Sequence, residues 1–204
     1  MAIKNIVFDV GNVLVRWDRE LIIKKAFPHR NDYGLLAEAI FKHETWFSVN
    51  KGHLTEAQAI LEYQKRLSLD HAALESMMQI AKESLIPVEG SFELLEQLHQ
   101  QHYALYALTD NTHEFMRYLK SKYDFWDKFK GIVVSANLGY LKPSPEIYDY
   151  LLNTFNLIPT ETIFIDDLLV NIEGAQAKGI HGIQFQNSEQ CFIELQALLN
   201  HSSS

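Results

Sequence analysis

The sequence predicts an α/β protein: a doubly wound parallel sheet with a helical subdomain inserted after its first strand. Three observations predict it. Short β-branched and aromatic runs at 6–8, 103–108, 131–135, 162–165 and 182–185 read as buried strands. Between the later runs lie segments with helical spacing, such as Leu94, Leu95 and Leu98, then Ile147, Leu151 and Phe155, so strand and helix alternate. Residues 18–87 break that alternation, holding several amphipathic stretches and no strand pattern.

Taken in order, the first strand ends at Asp9, where Asp9-Val10-Gly11-Asn12 reads as a glycine turn. The insertion follows. Ala37, Ile40 and Phe41 share one helical face, as do Ala59, Ile60, Tyr63 and Leu67. Thr55-Glu56-Ala57-Gln58 has capping-box spacing, Asp70 is placed to cap the next helix, and Gly52 and Pro87 punctuate the ends. The division expected is therefore a Rossmann-like core of 1–17 and 88–204, with a helical cap of 18–87. In such sheets the ligand crevice opens outside the carboxyl ends of the strands. Asp9, Thr109-Asp110 and Asp166-Asp167 all emerge there, and an insertion leaving directly after Asp9 sits over the mouth as a lid.

The 204 residues suffice for one sizeable core, and 47% hydrophobic with 22% charged residues is ordinary globular composition. Disorder is expected only in Ser202-Ser203-Ser204. A formal net charge of -8 without a basic stripe argues against nucleic acid as a partner. Cys191 is the sole cysteine, the first residues lack the apolar core of a signal peptide, and charges interrupt the most apolar runs. A cytoplasmic protein without membrane insertion is expected; no pattern fixes an oligomeric state.

Four elements carry candidate chemistry. Asp9, at the end of an apolar strand beside a turn that brings amides near a small anion, is a candidate nucleophile. Read alone, its plainer reading is an aspartate bonding its own turn. In Leu108-Thr109-Asp110-Asn111-Thr112, Thr109 and Asn111 are candidate phosphate ligands at a strand-to-helix junction, while Asp110 and Thr112 read as helix caps. Lys142 lies in a loop stiffened by Pro143 and Pro145, ahead of a helix starting at Pro145; its plainer reading is a solvated surface lysine. Asp166-Asp167 suits a hard divalent cation, which takes oxygen ligands from one or two carboxylates plus substrate phosphate, though one of the pair can serve as an N-cap. Asn171, Glu173 and Gly174 either brace those ligands or pack a helix. Trp46 and Phe47 line a substrate pocket or the core. His43, His53 and His113 lack metal-ligand spacing, and Cys191 reads as an apolar side chain of the last helix.

In this order the four elements resemble the haloacid dehalogenase superfamily, specifically its phosphatase branch with a small helical cap; Asp9-Val10-Gly11-Asn12-Val13 is similar to bacterial α-D-glucose-1-phosphate phosphatases. The resemblance implies that Asp9 forms an aspartyl phosphate. It gives Thr109 and Lys142 the transferring group, with Asp110, Asn111 and Asp18 near the substrate. Mg²⁺ would be bound by Asp9, the Gly11 carbonyl and Asp166, with Asp167 assisting. The implied substrate is a small phosphorylated metabolite, a sugar phosphate above all. One departure matters: many members carry a second aspartate two residues after the nucleophile as general acid and base, and here that position is Gly11. A comparatively good leaving group, or Asp18 or a cap residue standing in, would answer it. The alternatives are a 2-haloacid dehalogenase using the same aspartate, against which the Asp166-Asp167 pair argues, and a ligand-binding protein that has lost turnover.

Overall fold

The computed structural model describes residues 2–201; the Ser202–Ser204 tail, expected to be disordered, lies outside the described residues. The chain opens with β1 (Asn5–Phe8) and then runs through α1 (Arg19–Ala26), α2 (Tyr33–Phe41), α3 (Glu44–Asn50), α4 (Glu56–Leu67) and α5 (His71–Glu83). From there helix and strand alternate: α6 (Ser91–Gln100), β2 (Ala104–Thr109), α7 (His113–Lys122), β3 (Phe129–Val134), α8 (Pro145–Phe155), β4 (Thr162–Asp166), α9 (Leu169–Gln176), β5 (His181–Gln184) and α10 (Ser188–His201).

The strands form one parallel sheet in the order β3-β2-β1-β4-β5. Both faces are covered, which is why Ile6, Val7 and Phe8 of β1 form an unbroken apolar run. Ile6, Phe8, Leu105 and Ile163 pack with Leu94 of α6 and Leu195 of α10, while Val7, Leu108 and Phe164 pack with Ile147 and Leu151 of α8 and Ile172 of α9. The first of these cores runs on without a break into Ile22, Ile23, Ile40, Met77 and Met78 of the five helices between β1 and α6. Thr55 and Gln58 form the capping box at α4, Asp70 caps α5, and Pro145 opens α8. No helix among the described residues is long and apolar enough to cross a membrane.

Strand limits differ from the sequence expectation by one or two residues. Tyr103 closes the turn after α6, its N–H bonded to the Leu98 carbonyl, so β2 begins at Ala104. It continues through Thr109, which pairs with Val134. β3 starts early, at Phe129, because that residue pairs with Leu105 across an irregular register. β5 starts at His181, opposite Ile163, and its ladder stops at Gln184, opposite Asp166.

Ser135, at the end of β3, ties the inserted helices to the sheet: its hydroxyl donates to the Asn50 carbonyl at 2.6 Å and accepts the Asn111 N–H at 2.9 Å. Beside it Gly52 has φ +72°, and a Cβ there would overlap the Ala136 carbonyl oxygen. Gly52→Ala combines left-handed strain with a backbone clash, so a loss of about 1–3 kcal/mol is expected in urea unfolding. An unchanged midpoint would mean that this junction is not tightly held.

Candidate active site

Strand register assembles the site. Phe8 pairs with Ile165 on one side and Ala107 on the other, and the Asp9 N–H donates to the Ile165 carbonyl at 2.9 Å. The residues that follow, Asp9 and Asp166, therefore leave the sheet side by side. The chain steps outward from β1 to β2 and β3, then returns to lay β4 on the opposite flank of β1. The crevice of a doubly wound sheet opens where the order reverses in this way.

Lys142, in the loop before α8, lies against this pair. Its ammonium is 2.9 Å from Asp9 Oδ1 and 2.6 Å from Asp166 Oδ2, and it donates to the Leu108 carbonyl at 3.3 Å. With its side chain 1% exposed, it is not a solvated surface lysine. Burial alone would pull its pKa down, but Asp9, Asp166 and Asp110 hold it well above the ordinary lysine range. Burial pushes the Asp9 carboxyl up, Asp166 and Asp167 add to the push, and Lys142 opposes it. Asp9 Oδ1 also accepts the Val10 N–H at 2.7 Å, so the local turn bond and the convergence on Lys142 hold together.

Asp166 is fully buried and braced. Its carboxylate accepts both Asn171 Nδ2 (3.0 and 3.1 Å) and the Leu168 N–H (2.9 Å). Asn171 is thus the bracing residue among the three expected in α9. Asp167 accepts Asn12 Nδ2 at 3.1 Å, and burial raises its pKa, with the Asp166 charge adding. One oxygen each from Asp9, Asp166 and Asp167 lies within 4.8 Å of the others. With Asp110 nearby, four carboxylates crowd one ammonium, and all-oxygen donors carrying surplus negative charge fit a hard divalent cation such as Mg²⁺.

The remaining expected residues divide. Asp110 is no helix cap: Oδ1 accepts the Lys142 N–H at 3.1 Å, and Thr112 caps α7 instead. Asn111 caps its neighbour by accepting the Thr112 N–H. Thr109 is buried at the end of β2 and does not line the cavity, whereas Asp110 and Asn111 do. Gly11 lines it too; a Cβ there would meet only the Trp17 Cβ, at 4.0 Å. Asp18 is not brought to Asp9. It caps α1, accepting the Leu21 N–H at 2.9 Å, and faces a separate polar depression with Arg16 and Lys42. Helix capping outcompetes the role of stand-in acid because the cap fixes the carboxylate where α1 begins. His43 caps α3, and burial pushes the Cys191 thiol up to about 12, as suits an inert core side chain.

Burial also pushes the Asp110 carboxyl up to about 6, against the opposing pull of Lys142. A folded-state pKa above that of an unfolded aspartate means the ionised form opposes folding, so stability falls as pH rises through about 6. Asp110→Asn keeps the acceptor for the Lys142 N–H and removes the charge. In EDTA it is expected to exceed the parent by about 2 kcal/mol above about pH 7 and to converge with it below about pH 4, read from urea unfolding against pH. A pH-independent difference would break the link to titration.

Above the carboxylates opens a cavity of about 440 Å³, bounded by core loops and by residues of α1, α2 and α3. Its wall is aromatic, and of the residues in it Trp46 and Phe47 were expected from sequence to line a pocket or the core. Trp17 and Trp46 stack at 5.7 Å with planes 7° apart, and Phe41 and Phe115 meet both edge-on at 5.1–5.8 Å. Trp46 therefore both packs and lines the cavity. Trp17, Phe115 and Ser135 were not singled out from sequence; Ser135 alone carried a signal, a hydroxyl at a strand end like that of Thr109.

A strand-end aspartate, a buried lysine and an acidic pair at the switch point of this sheet define a class, and comparison agrees. Residues 6–185 match the haloacid dehalogenase-like hydrolase model, and the chain belongs to that family. It is 28% identical to a sesquiterpene phosphatase of Aspergillus oryzae over 96% of each chain. It is 29% identical to a D-ribitol-5-phosphate phosphatase of Bacteroides thetaiotaomicron, over 97% of this chain and 99% of that one. The fold matches that of a family enzyme from B. thetaiotaomicron crystallised with magnesium and inorganic phosphate, at TM-score 0.75 and 22% identity over 91% of this chain and 96% of that one.

Proposed function

We propose that this hydrolase is a Mg²⁺-dependent phosphomonoesterase that works through an aspartyl phosphate on Asp9. The observation that carries the reading is Asp9 and Asp166 held 2.9 and 2.6 Å from one buried ammonium, with Asp167 completing a cation-sized carboxylate triad. Asp9, Asp166 and Asp167, with the Gly11 carbonyl, would hold Mg²⁺, which when bound offsets the repulsion between an anionic nucleophile and an anionic ester. An Asp9 oxygen forms a bond to phosphorus as the ester P–O bond breaks, and the departing alkoxide takes a proton from water. A second water attacks the acyl phosphate, returning the carboxylate and releasing inorganic phosphate, and the proton it sheds neutralises the hydroxide left by the first; the sum is ester plus water to alcohol plus phosphate. Lys142 is assigned the charge on the phosphoryl oxygens, with Thr109 at the neighbouring strand end its expected partner. The helices of 18–87 serve as the cap that encloses the leaving group.

Phosphate release from a panel of esters, in Mg²⁺ and in EDTA, tests this, together with hydroxylamine trapping of the acyl phosphate. Release that persists in EDTA, or no trappable intermediate, would sink it. A sugar phosphate substrate is the second reading, favoured by similarity to the ribitol-phosphate enzyme. Similarity to the sesquiterpene phosphatase favours a hydrocarbon ester instead. Dehalogenation fits less well, because four carboxylates around one lysine repel a haloacid anion.

The space beside Gly11 allows a direct check on the missing acid. Gly11→Asp is expected to fold and, with Mg²⁺ present, to raise kcat on alkyl phosphates by about 10²-fold, with little gain on p-nitrophenyl phosphate, whose leaving group needs no proton. Equal effects on both esters would remove the leaving-group argument.

A further inference from the structure

The cavity wall specifies more than a phosphate ester. Beyond Asp9 and Lys142 it is formed by Trp17, Phe41, Trp46 and Phe115, with Leu85 and Leu141. A polyol needs a hydrogen-bonding partner for each hydroxyl it loses from water, and an apolar wall leaves those hydroxyls unpaired. Arg19, at the start of α1, also reaches the cavity and makes no side-chain hydrogen bond among the described residues, but the amides and carboxylates there each hold at least one bond within the protein. Asn12 accepts the Trp17 N–H and donates to Asp167; Asn50 donates to the Trp46 carbonyl; Asn111 accepts the Thr112 N–H; and Asp110 accepts the Lys142 N–H. The apolar surface also continues out of the cavity. Leu168 and Val170, at its mouth, are 52% and 51% exposed, with Leu169 between them at 53%, and Phe47 stands on the lip. Three consecutive large apolar residues in water, joined to an aromatic cavity at a charged site, form a path that starts polar at Asp9 and ends greasy at the surface.

We propose that the ester hydrolysed is a phosphomonoester of an extended apolar alcohol, its phosphoryl group at Asp9 and Lys142, its hydrocarbon in the Trp17–Trp46 cavity and its far end on Leu168 and Val170. This rests on the phosphatase reading and names its substrate class.

Initial rates with Mg²⁺ on unbranched primary alkyl phosphates from ethyl to decyl, below their micelle concentrations, test it against glycerol 3-phosphate and ribitol 5-phosphate. All these leaving groups are primary alcohols, so leaving-group basicity varies little. kcat/KM is expected to rise about three- to fourfold per methylene until the cavity is filled. A flat series, or ribitol 5-phosphate hydrolysed ahead of octyl phosphate, overturns the proposal and leaves the phosphatase reading standing. A second measurement covers the case of no turnover: two of the three tryptophans line the cavity, so octyl phosphate should shift the tryptophan emission of Asp9→Asn where ribitol 5-phosphate does not. That shift without phosphate release from the parent would support the apolar site and end the phosphatase reading; no shift and no release overturns both. In the double variant Leu168→Asp, Val170→Asp the rate gain per methylene is expected to vanish for the longest chains, and an unchanged slope overturns the surface part of the path.

Discussion

Asp9→Asn is expected to lower kcat by about 10⁴-fold or more, since an amide oxygen cannot form the acyl phosphate and the chemistry loses its first step. The fold should survive. Asparagine keeps an acceptor for the Val10 N–H and for Lys142, and it removes a carboxyl that burial already pushes toward its neutral form. Unfolding in EDTA should therefore show a midpoint no lower than the parent's, alongside phosphate release at the limit of detection. A residual rate near the parent's would dismiss Asp9 as the nucleophile, whatever else the cavity does.

Lys142→Met should have the largest effect on stability. Among the described residues the ammonium is the one cation within bonding distance of both Asp9 and Asp166, and removing it strands two buried carboxylates. Breaking a buried pair from one side costs about 3–5 kcal/mol, and more is not expected because the acids can take up protons. Mg²⁺ should recover part of the loss, since a cation bound only by the folded chain stabilises it by mass action. Urea unfolding with and without Mg²⁺ measures both, and phosphate release should fall by about 10²–10³-fold even where the fold is recovered. Equal losses in Mg²⁺ and EDTA would mean that the cation does not sit among these carboxylates.

Much of the site was legible because it lies at strand ends. Asp9, Asp166 and Asp167 each follow an apolar run, and parallel pairing in register brings such ends together whatever their separation along the chain. Asn171 was half legible: five residues after Asp166, one helical turn returns its side chain to the carboxylate, yet spacing alone does not distinguish that from packing. Asp110 was misread as a cap because the Lys142 amide that claims it is 32 residues away. Asp18 was offered as a stand-in acid because it is near Asp9 in sequence, and the start of α1 turns it elsewhere.

The sequence by itself determined the parallel sheet, the position of the helical insertion after β1, the capped starts of α4 and α5, and the charged end of the crevice. These depend on periodicity, on capping chemistry and on where apolar runs stop, all of which are local. Only the tertiary structure decided that Lys142 is buried between two carboxylates, that Ser135 fastens α3 to the sheet, and that Trp17, Phe41, Trp46 and Phe115 meet in one wall. Those are contacts between segments whose separation is set by helix packing, and a side chain's neighbours across such an interface leave no period in the sequence.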